Sequence, residues 1–277
     1  MTNEMPNQMP KEHSIFDQVL TENIESYPFP HAVVLDALPA YLVEQLIDTR
    51  PALGQVAAAY SHAERPAGQV FAHPGEKIHL RSAQLLKDPV ASRVWKDVVR
   101  QYLSAPELKK LVSAFAPAIV MEYPHLEQEW GKISDWTIGQ RFVDSADDFV
   151  LLADVQLSYH APSPAKMVAE RRPHLKMTNK LLICQYFLRI PEDQAPGGDF
   201  LIYGRKDNTA LTFGKDQQVL NTENLILAKQ IIYKANTAVC FLNTPRSFQA
   251  FAEHGGTSHP SFYMNIVLEF AEPIFSI

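Results

Sequence analysis

The residues with the means to do chemistry gather in "RRPHLKMTNKLLICQYFLR", residues 171 to 189. His174 stands just ahead of a strand-like apolar run, where a metal site could begin. Two positions on, where such a site wants a carboxylate, stands Lys176. A carboxylate donates a lone pair and cancels part of a cation's charge; a lysine, protonated up to a pKa of about 10.4, does neither. Other candidates are scattered. His254 and His259 lie in "AEHGGTSHP", five and ten residues past Gln249, and His160 ends the run "FVLLADVQLSYH". His73 and His79 flank Glu76 in "FAHPGEKIHLRS", a loop-like segment in which surface positions are expected. Cys184 and Cys240 sit in "LLICQYF" and "TAVCFLN", away from any CxxC or paired Cys/His spacing. They read as small buried apolar residues of a reducing compartment.

Strands must position most of these groups. The chain has 277 residues, 46% hydrophobic and 20% charged, which one large β-rich domain accommodates. Residues 1 to 14, rich in Pro, Asn, Gln and Met, read as a disordered lead-in, and residues 15 to 277 as a single composite domain. "HAVVL" predicts a short strand and "AYLVEQLIDTR" a helix, with Asp36 as its N-cap. Residues 51 to 80, broken by Pro and Gly, read as loop with short elements. "DPVASRVWKDVVRQYLS" and "APELKKLVSAFAP" predict two amphipathic helices, the first presenting Val94, Trp95, Val98, Val99 and Tyr102 on one face. After Pro117 come short apolar or alternating runs parted by turn residues: "AIVMEY", "WTIGQRF", "FVLLADVQLSYH", "NKLLICQYFLR", "DFLIYGR", "TALTFG", "QIIYKA", "TAVCFLN" and "FYMNIVLEF". Many short strands at that spacing predict an antiparallel sandwich or barrel. The fold class is therefore mainly β with N-terminal helices, the helical part covering 15 to 116 and the barrel 117 to 277.

The order "YPFPH", "VQLSYHAPSP", "RRPHLKMTNKLLICQYFLR", "PGGDFLIYG", "ANTAVCFLNTPRSFQAF" and "HPSFYMNIVLEF" resembles the 2-oxoglutarate/Fe(II)-dependent oxygenases, nearest their prolyl-hydroxylase-like bacterial branch. The resemblance runs over roughly residues 115 to 270 and implies a double-stranded β-helix core, the jelly roll also seen in cupins. It further implies iron held by a His-x-Asp pair and a later His, with an Arg gripping the far carboxylate of 2-oxoglutarate. His174 matches the first ligand. Lys176 stands at the carboxylate position and Gln249, in "FLNTPRSFQAF", at the distal histidine. Ser261 and Phe262, in "HPSFYMN", stand where the arginine belongs. The scaffold pieces fit, while the metal and co-substrate positions are substituted.

An ammonium about 4 Å from a divalent cation repels it, severely at low dielectric. Lys176 either fills the metal's place as a built-in cation, with Gln249 and Glu253 as acceptors, or snorkels to solvent; both readings stay open. His254 or His259 could join His174 in a displaced metal site, against the reading of their segment as an exposed loop turned by Gly255 and Gly256. Lys180, Arg246 and Arg172 are candidate cations for a co-substrate, and Tyr159 and Tyr186 candidate polar anchors inside the barrel. "PGGDF" reads as a tight strand entry with positive φ, Asp199 bonding turn amides.

These substitutions favour a pseudoenzyme that has lost iron and 2-oxoglutarate and needs no cofactor. It would hold a small molecule in the barrel mouth or pair with a protein such as an active paralogue. One alternative is an active hydroxylase that still uses Fe(II) and 2-oxoglutarate. Another is a non-oxidative enzyme with Lys176 as base or Schiff-base nucleophile, and a third is a purely structural subunit. A net charge of -6 disfavours nucleic acid and anionic membranes as partners. No apolar run nears the ~18 to 20 residues of a membrane span, and the polar N-terminus lacks a secretory h-region, so the cytoplasm is the expected compartment.

Overall fold

Short apolar runs become strands here because both faces find cover. The computed structural model describes residues 14–60, 71, 76–161, 172–207, 210–214, 217–254 and 257–277. The expected lead-in, apart from Ser14, lies outside them, as do His73 and the Gly255–Gly256 pair. Among the described residues the strands are β1 (His31–Leu35), β2 (Lys77–Arg81), β3 (Ile138–Gln140), β4 (Leu151–His160), β5 (Lys180–Phe187), β6 (Phe200–Arg205), β7 (Leu225–Ile231), β8 (Thr237–Leu242), β9 (Phe248–Phe251) and β10 (Ser261–Glu269). A large antiparallel sheet has the order β1-β8-β5-β10-β4-β2, with β3 added parallel to β4. A small sheet has the order β7-β6-β9, and His174 adds to β9 through an antiparallel bridge with Gln249.

From β4 onward the chain alternates between sheets, except that the successive strands β6 and β7 pair within the small one. β4, β5, β8 and β10 lie in the large one; the His174 segment, β6, β7 and β9 lie in the small one. That alternation is the double-stranded β-helix, so the expected fold class is the one present.

Helices α1 (Ala40–Asp48), α2 (Leu53–Tyr60), α3 (Ser82–Lys87), α4 (Arg93–Leu103), α5 (Ala105–Glu122) and α6 (His125–Trp130) accompany the large sheet. α4 buries Trp95, Val98, Val99 and Tyr102, the face its spacing predicts. These side chains share one core with Leu157, Tyr159, Cys184, Tyr186, Cys240, Phe262 and Met264 from the outer side of the large sheet. The alternate residues of the same strands, Ile183, Phe187, Val239, Phe241 and Tyr263, meet Phe200 and Ile202 between the sheets. A third cluster, Leu175, Val219, Leu225 and Phe248, backs the small sheet. β5 is thus apolar on both faces, which is why "LLICQYF" reads as a continuous run.

Four local expectations differ from the structure. Asp36 takes a positive φ of 50°, and α1 begins at Ala40 behind Pro39, so Asp36 caps nothing. "AIVMEY" is helix: α5 continues through Pro117 to Glu122, forfeiting one N–H bond while Phe115 and Ile119 stay fully buried. "KIHLR", expected as loop, is β2, because Ile78 and Leu80 enter the helix-side core. "TALTFG" makes a single bridge, Phe213 to Val219, in place of a strand. Among the described residues no helix is long and apolar enough to cross a membrane.

Candidate functional site in the barrel

Period-two alternation decides which side chains enter the space between the sheets. Ile78 and Leu80 point to the helices, so Lys77, His79 and Arg81 of β2 take the barrel side. By the same rule β4 contributes Asp154, Gln156, Ser158 and His160, β5 Gln185, and β10 Ser261, Tyr263, Asn265 and Glu269. Register brings them together: Asn265 lies opposite both Gln156 and Gln185, and Ser158 lies between His79 and Tyr263. The barrel therefore has an apolar half of phenylalanines and a polar half.

The polar half is hydrogen-bonded in part. Asn265 Nδ2 donates to Ser158 Oγ at 3.2 Å. The Tyr263 hydroxyl and His160 Nε2 are bonded, and Lys77 Nζ lies 5.3 Å from the centre of the Tyr263 ring. The side-chain oxygens of Gln185, Gln249 and Asn265 are buried with no protein partner among the described residues. Burial, aided by Lys77, Arg81 and Lys180, pulls the His79 imidazole down to about 4. At the other end of the strands Asp154 accepts from Ser82 Oγ at 2.7 Å and Gln156 Nε2 at 2.9 Å. Glu269 pairs with Arg141 at 2.7 Å, and burial, opposed by Arg141, holds its carboxyl above the usual range. Burial lowers the Lys180 ammonium, with Glu269 opposing.

His174 and Gln249 face each other across the small sheet. Their backbones exchange hydrogen bonds of 2.9 and 3.2 Å, and Gln249 Nε2 lies 3.4 Å from His174 Nε2. His174 Nδ1 lies 3.3 Å from the Arg172 carbonyl, which assigns it the proton and leaves Nε2 as the acceptor turned to the amide. Gln249 is fully buried and His174 half-buried. Leu175 packs in the outer cluster, and Lys176, next along the chain, is half-buried.

The remaining candidates disperse. The Tyr159 hydroxyl donates to the Pro51 carbonyl at 2.6 Å, and the Tyr186 hydroxyl to Asn236 Oδ1 at 2.9 Å. Both rings lie in the helix-side core, so neither anchors a ligand inside the barrel; their strand parity is opposite to that expected. Arg246 is an exposed partner of Glu122 on α5, outside the barrel. Arg172 is exposed and reaches the Leu220 carbonyl at 3.4 Å. His259 lines a cavity of about 400 Å³ with Arg50, Tyr159 and Phe262. His254 faces Ser261 and Asp193. Lys180 opens β5, as expected. Sequence reasoning missed the barrel-side position of Lys77 and His79 and any role for Asp193. The alternation of "KIHLR" was the available signal for the first; nothing local marks the second.

Fe(II) fits these residues poorly. One imidazole nitrogen, already turned to an amide, would share the site with a carboxamide, whereas the metal wants two imidazoles and a carboxylate. Among the described residues no three His, Cys, Asp or Glu side chains are grouped to hold a metal ion. 2-Oxoglutarate fits no better on β10, where barrel-side Ser261 bonds His254 and Phe262 stacks outward on Tyr159 at 4.6 Å.

No family model and no curated protein matches the sequence. Among solved structures, the chain is similar to a prolyl-4-hydroxylase from Pseudomonas putida, at 13% identity and a TM-score of 0.42 over 87% of this chain and 92% of that one. A prolyl 4-hydroxylase from Phytophthora capsici gives 10% identity and 0.48 over 96% and 69%. An epimerase solved with Fe3+ and α-ketoglutarate gives 13% and 0.46 over 87% and 79%. At such identities and scores these likenesses carry no argument, and the double-stranded β-helix stands on the strand order itself.

Proposed function

We propose that this chain is an oxygenase-shaped binding protein that works without iron or 2-oxoglutarate and holds a small polar molecule in the polar half of its barrel. One observation carries the reading: His174 and Gln249, the two residues that the sequence resemblance sets at histidine-ligand positions, meet at 3.4 Å. By the same resemblance Lys176 takes the carboxylate position, and it is half-buried. A carboxamide keeps the shape and hydrogen-bonding of the pocket while removing a strong donor to the metal, and the lysine adds repulsion. Polar side chains of Gln185, Gln249 and Asn265 supply the lining.

The test compares the natural chain with the double variant Lys176→Asp, Gln249→His after anaerobic loading with Fe(II). The natural chain is expected to retain far less than one iron per chain and to release no succinate from 2-oxoglutarate. The double variant, with the ligand set restored, is expected to retain about one. Stoichiometric iron and succinate release in the natural chain would overturn the reading; a double variant that binds no better would show that these positions were wrongly matched.

A further inference from the structure

Beyond the far end of β9, away from the His174 pair, a second group of reactive side chains is assembled. Ser261 Oγ lies 2.9 Å from His254 Nδ1. On the other side of the ring, His254 Nε2 lies 3.0 Å from Asp193 Oδ2, close enough for an ion pair although off the line of a good hydrogen bond. Asp193 is 3% exposed and held by Thr257 Oγ1 at 3.2 Å, the Ala195 N–H at 3.3 Å and Arg189 at 3.4 Å, so its carboxylate has little freedom to leave. Gly197 and Gly198, at φ of 86° and 80°, close over the histidine; a Cβ on Gly198 would stand 3.4 Å from the imidazole. The Tyr233 ring packs edge-on against it with centroids 5.6 Å apart.

We propose that Ser261, His254 and Asp193 form a nucleophile–base–carboxylate relay that cleaves small uncharged carboxylic esters. The tautomer is consistent along the chain of contacts: with the proton on Nε2 facing Asp193, the Nδ1 lone pair accepts the Ser261 hydroxyl. The imidazole is used in the opposite sense to the common serine-hydrolase arrangement, where Nε2 faces the serine; either nitrogen can act as the base. Burial holds His254 below the usual histidine range, with Asp193 opposing, so the ring is neutral and able to take a proton at neutral pH.

In the reaction, the Oγ–acyl bond forms as the hydroxyl proton passes to Nδ1. The tetrahedral intermediate then collapses, breaking the bond to the alkoxy oxygen, which receives that proton. Water, deprotonated by the same nitrogen, attacks the acyl-serine and releases the acid; no oxidant or reductant is consumed. The Tyr233 hydroxyl accepts the Phe262 N–H at 3.0 Å and donates to the Phe262 carbonyl at 3.3 Å, which fixes the ring beside Ser261, and burial pushes its phenol up to about 12, so it keeps its proton. Ser261 lies opposite His160, whose ring meets Phe251 at 5.5 Å and Tyr263 at 5.0 Å. Those rings favour a short uncharged acyl group.

The full-length chain is treated with a fluorophosphonate probe and the adduct located by peptide mass spectrometry, alongside p-nitrophenyl acetate hydrolysis. The expected result is one adduct per chain, on Ser261, absent in Ser261→Ala and formed about 100-fold more slowly in His254→Gln. Thermal melting checks that the variants fold. A natural chain that carries no adduct on Ser261, or a folded His254→Gln chain that labels at the natural rate, would overturn the proposal. Neither outcome depends on whether iron binds at His174.

Discussion

At the scale of single residues the centre of the barrel's polar half is occupied by neutral groups, with the charged Lys77, Arg81, Asp154 and Glu269 on the same strands around it. Gln185, Gln249 and Asn265 carry no charge at any pH, and His79 is kept uncharged by burial beside Lys77 and Arg81. Its folded-state value of about 4 lies below the 6.5 of an unperturbed histidine, so the unfolded chain binds the extra proton between those values. Stability therefore rises with pH from about 4 to 6.5, and acidification across that window costs roughly 2 to 3 kcal/mol from this residue. His31 and His254 are lowered in the same direction, so His79→Gln should flatten the slope without abolishing it. Urea unfolding of both chains at several pH values measures this; an unchanged slope would mean that His79 is not desolvated. The meeting of His174 and Gln249 was legible in the sequence because ordered motifs flank both of them. The inward turn of His79 was not, since it depends on pairing with β4, about 80 residues away by register.

At the scale of elements, tight turns place the candidate groups. Gly197 forms a bridge with His254, and a Cβ on it would stand 1.8 Å from the Glu253 carbonyl oxygen. Its φ of 86° adds strain for any other residue. Gly197→Ala should cost about 3 kcal/mol or more, since neither the backbone contact nor the dihedral can relax cheaply. Chemical denaturation measures the loss, and a change below about 1 kcal/mol would show that the 253–254 segment moves freely. The positive φ of "PGG" was readable from composition. Asp199 was only half readable: it bonds Gln230 Nε2 at 2.6 Å on neighbouring β7 and the Tyr233 N–H at 2.8 Å just past that strand, not the amides of its own turn. α5 shows the converse limit. Pro117 and a β-branched run argue locally for a break and a strand, yet packing of Phe115 and Ile119 carries the helix onward.

At the scale of the whole molecule, the helices and the barrel are not independent bodies. One cluster joins Trp95 and Phe115 from the helices to Leu157, Tyr186 and Met264 from the large sheet. Specific bonds cross the same boundary: the Tyr123 hydroxyl donates to the Asn243 carbonyl at 2.6 Å, and the Tyr159 hydroxyl of β4 to the Pro51 carbonyl at 2.6 Å. Removing the helices would strip the apolar face of β4, β5 and β10, while the helices alone would expose Trp95, Val98 and Val99. Each layer is thus the other's cover, and neither has a second core large enough to stand on. The consequence is a single cooperative transition. Tryptophan fluorescence, dominated by buried Trp95 and Trp136 near the helix layer, and far-UV circular dichroism, which includes the sheets, should give the same denaturation midpoint. Two separated midpoints would divide the chain into units and require the barrel to hold its polar half without the helices behind it. Coincident midpoints tie the geometry of the His174 and Ser261 sites to the stability of the entire fold, so that a variant such as Gly197→Ala lowers both together.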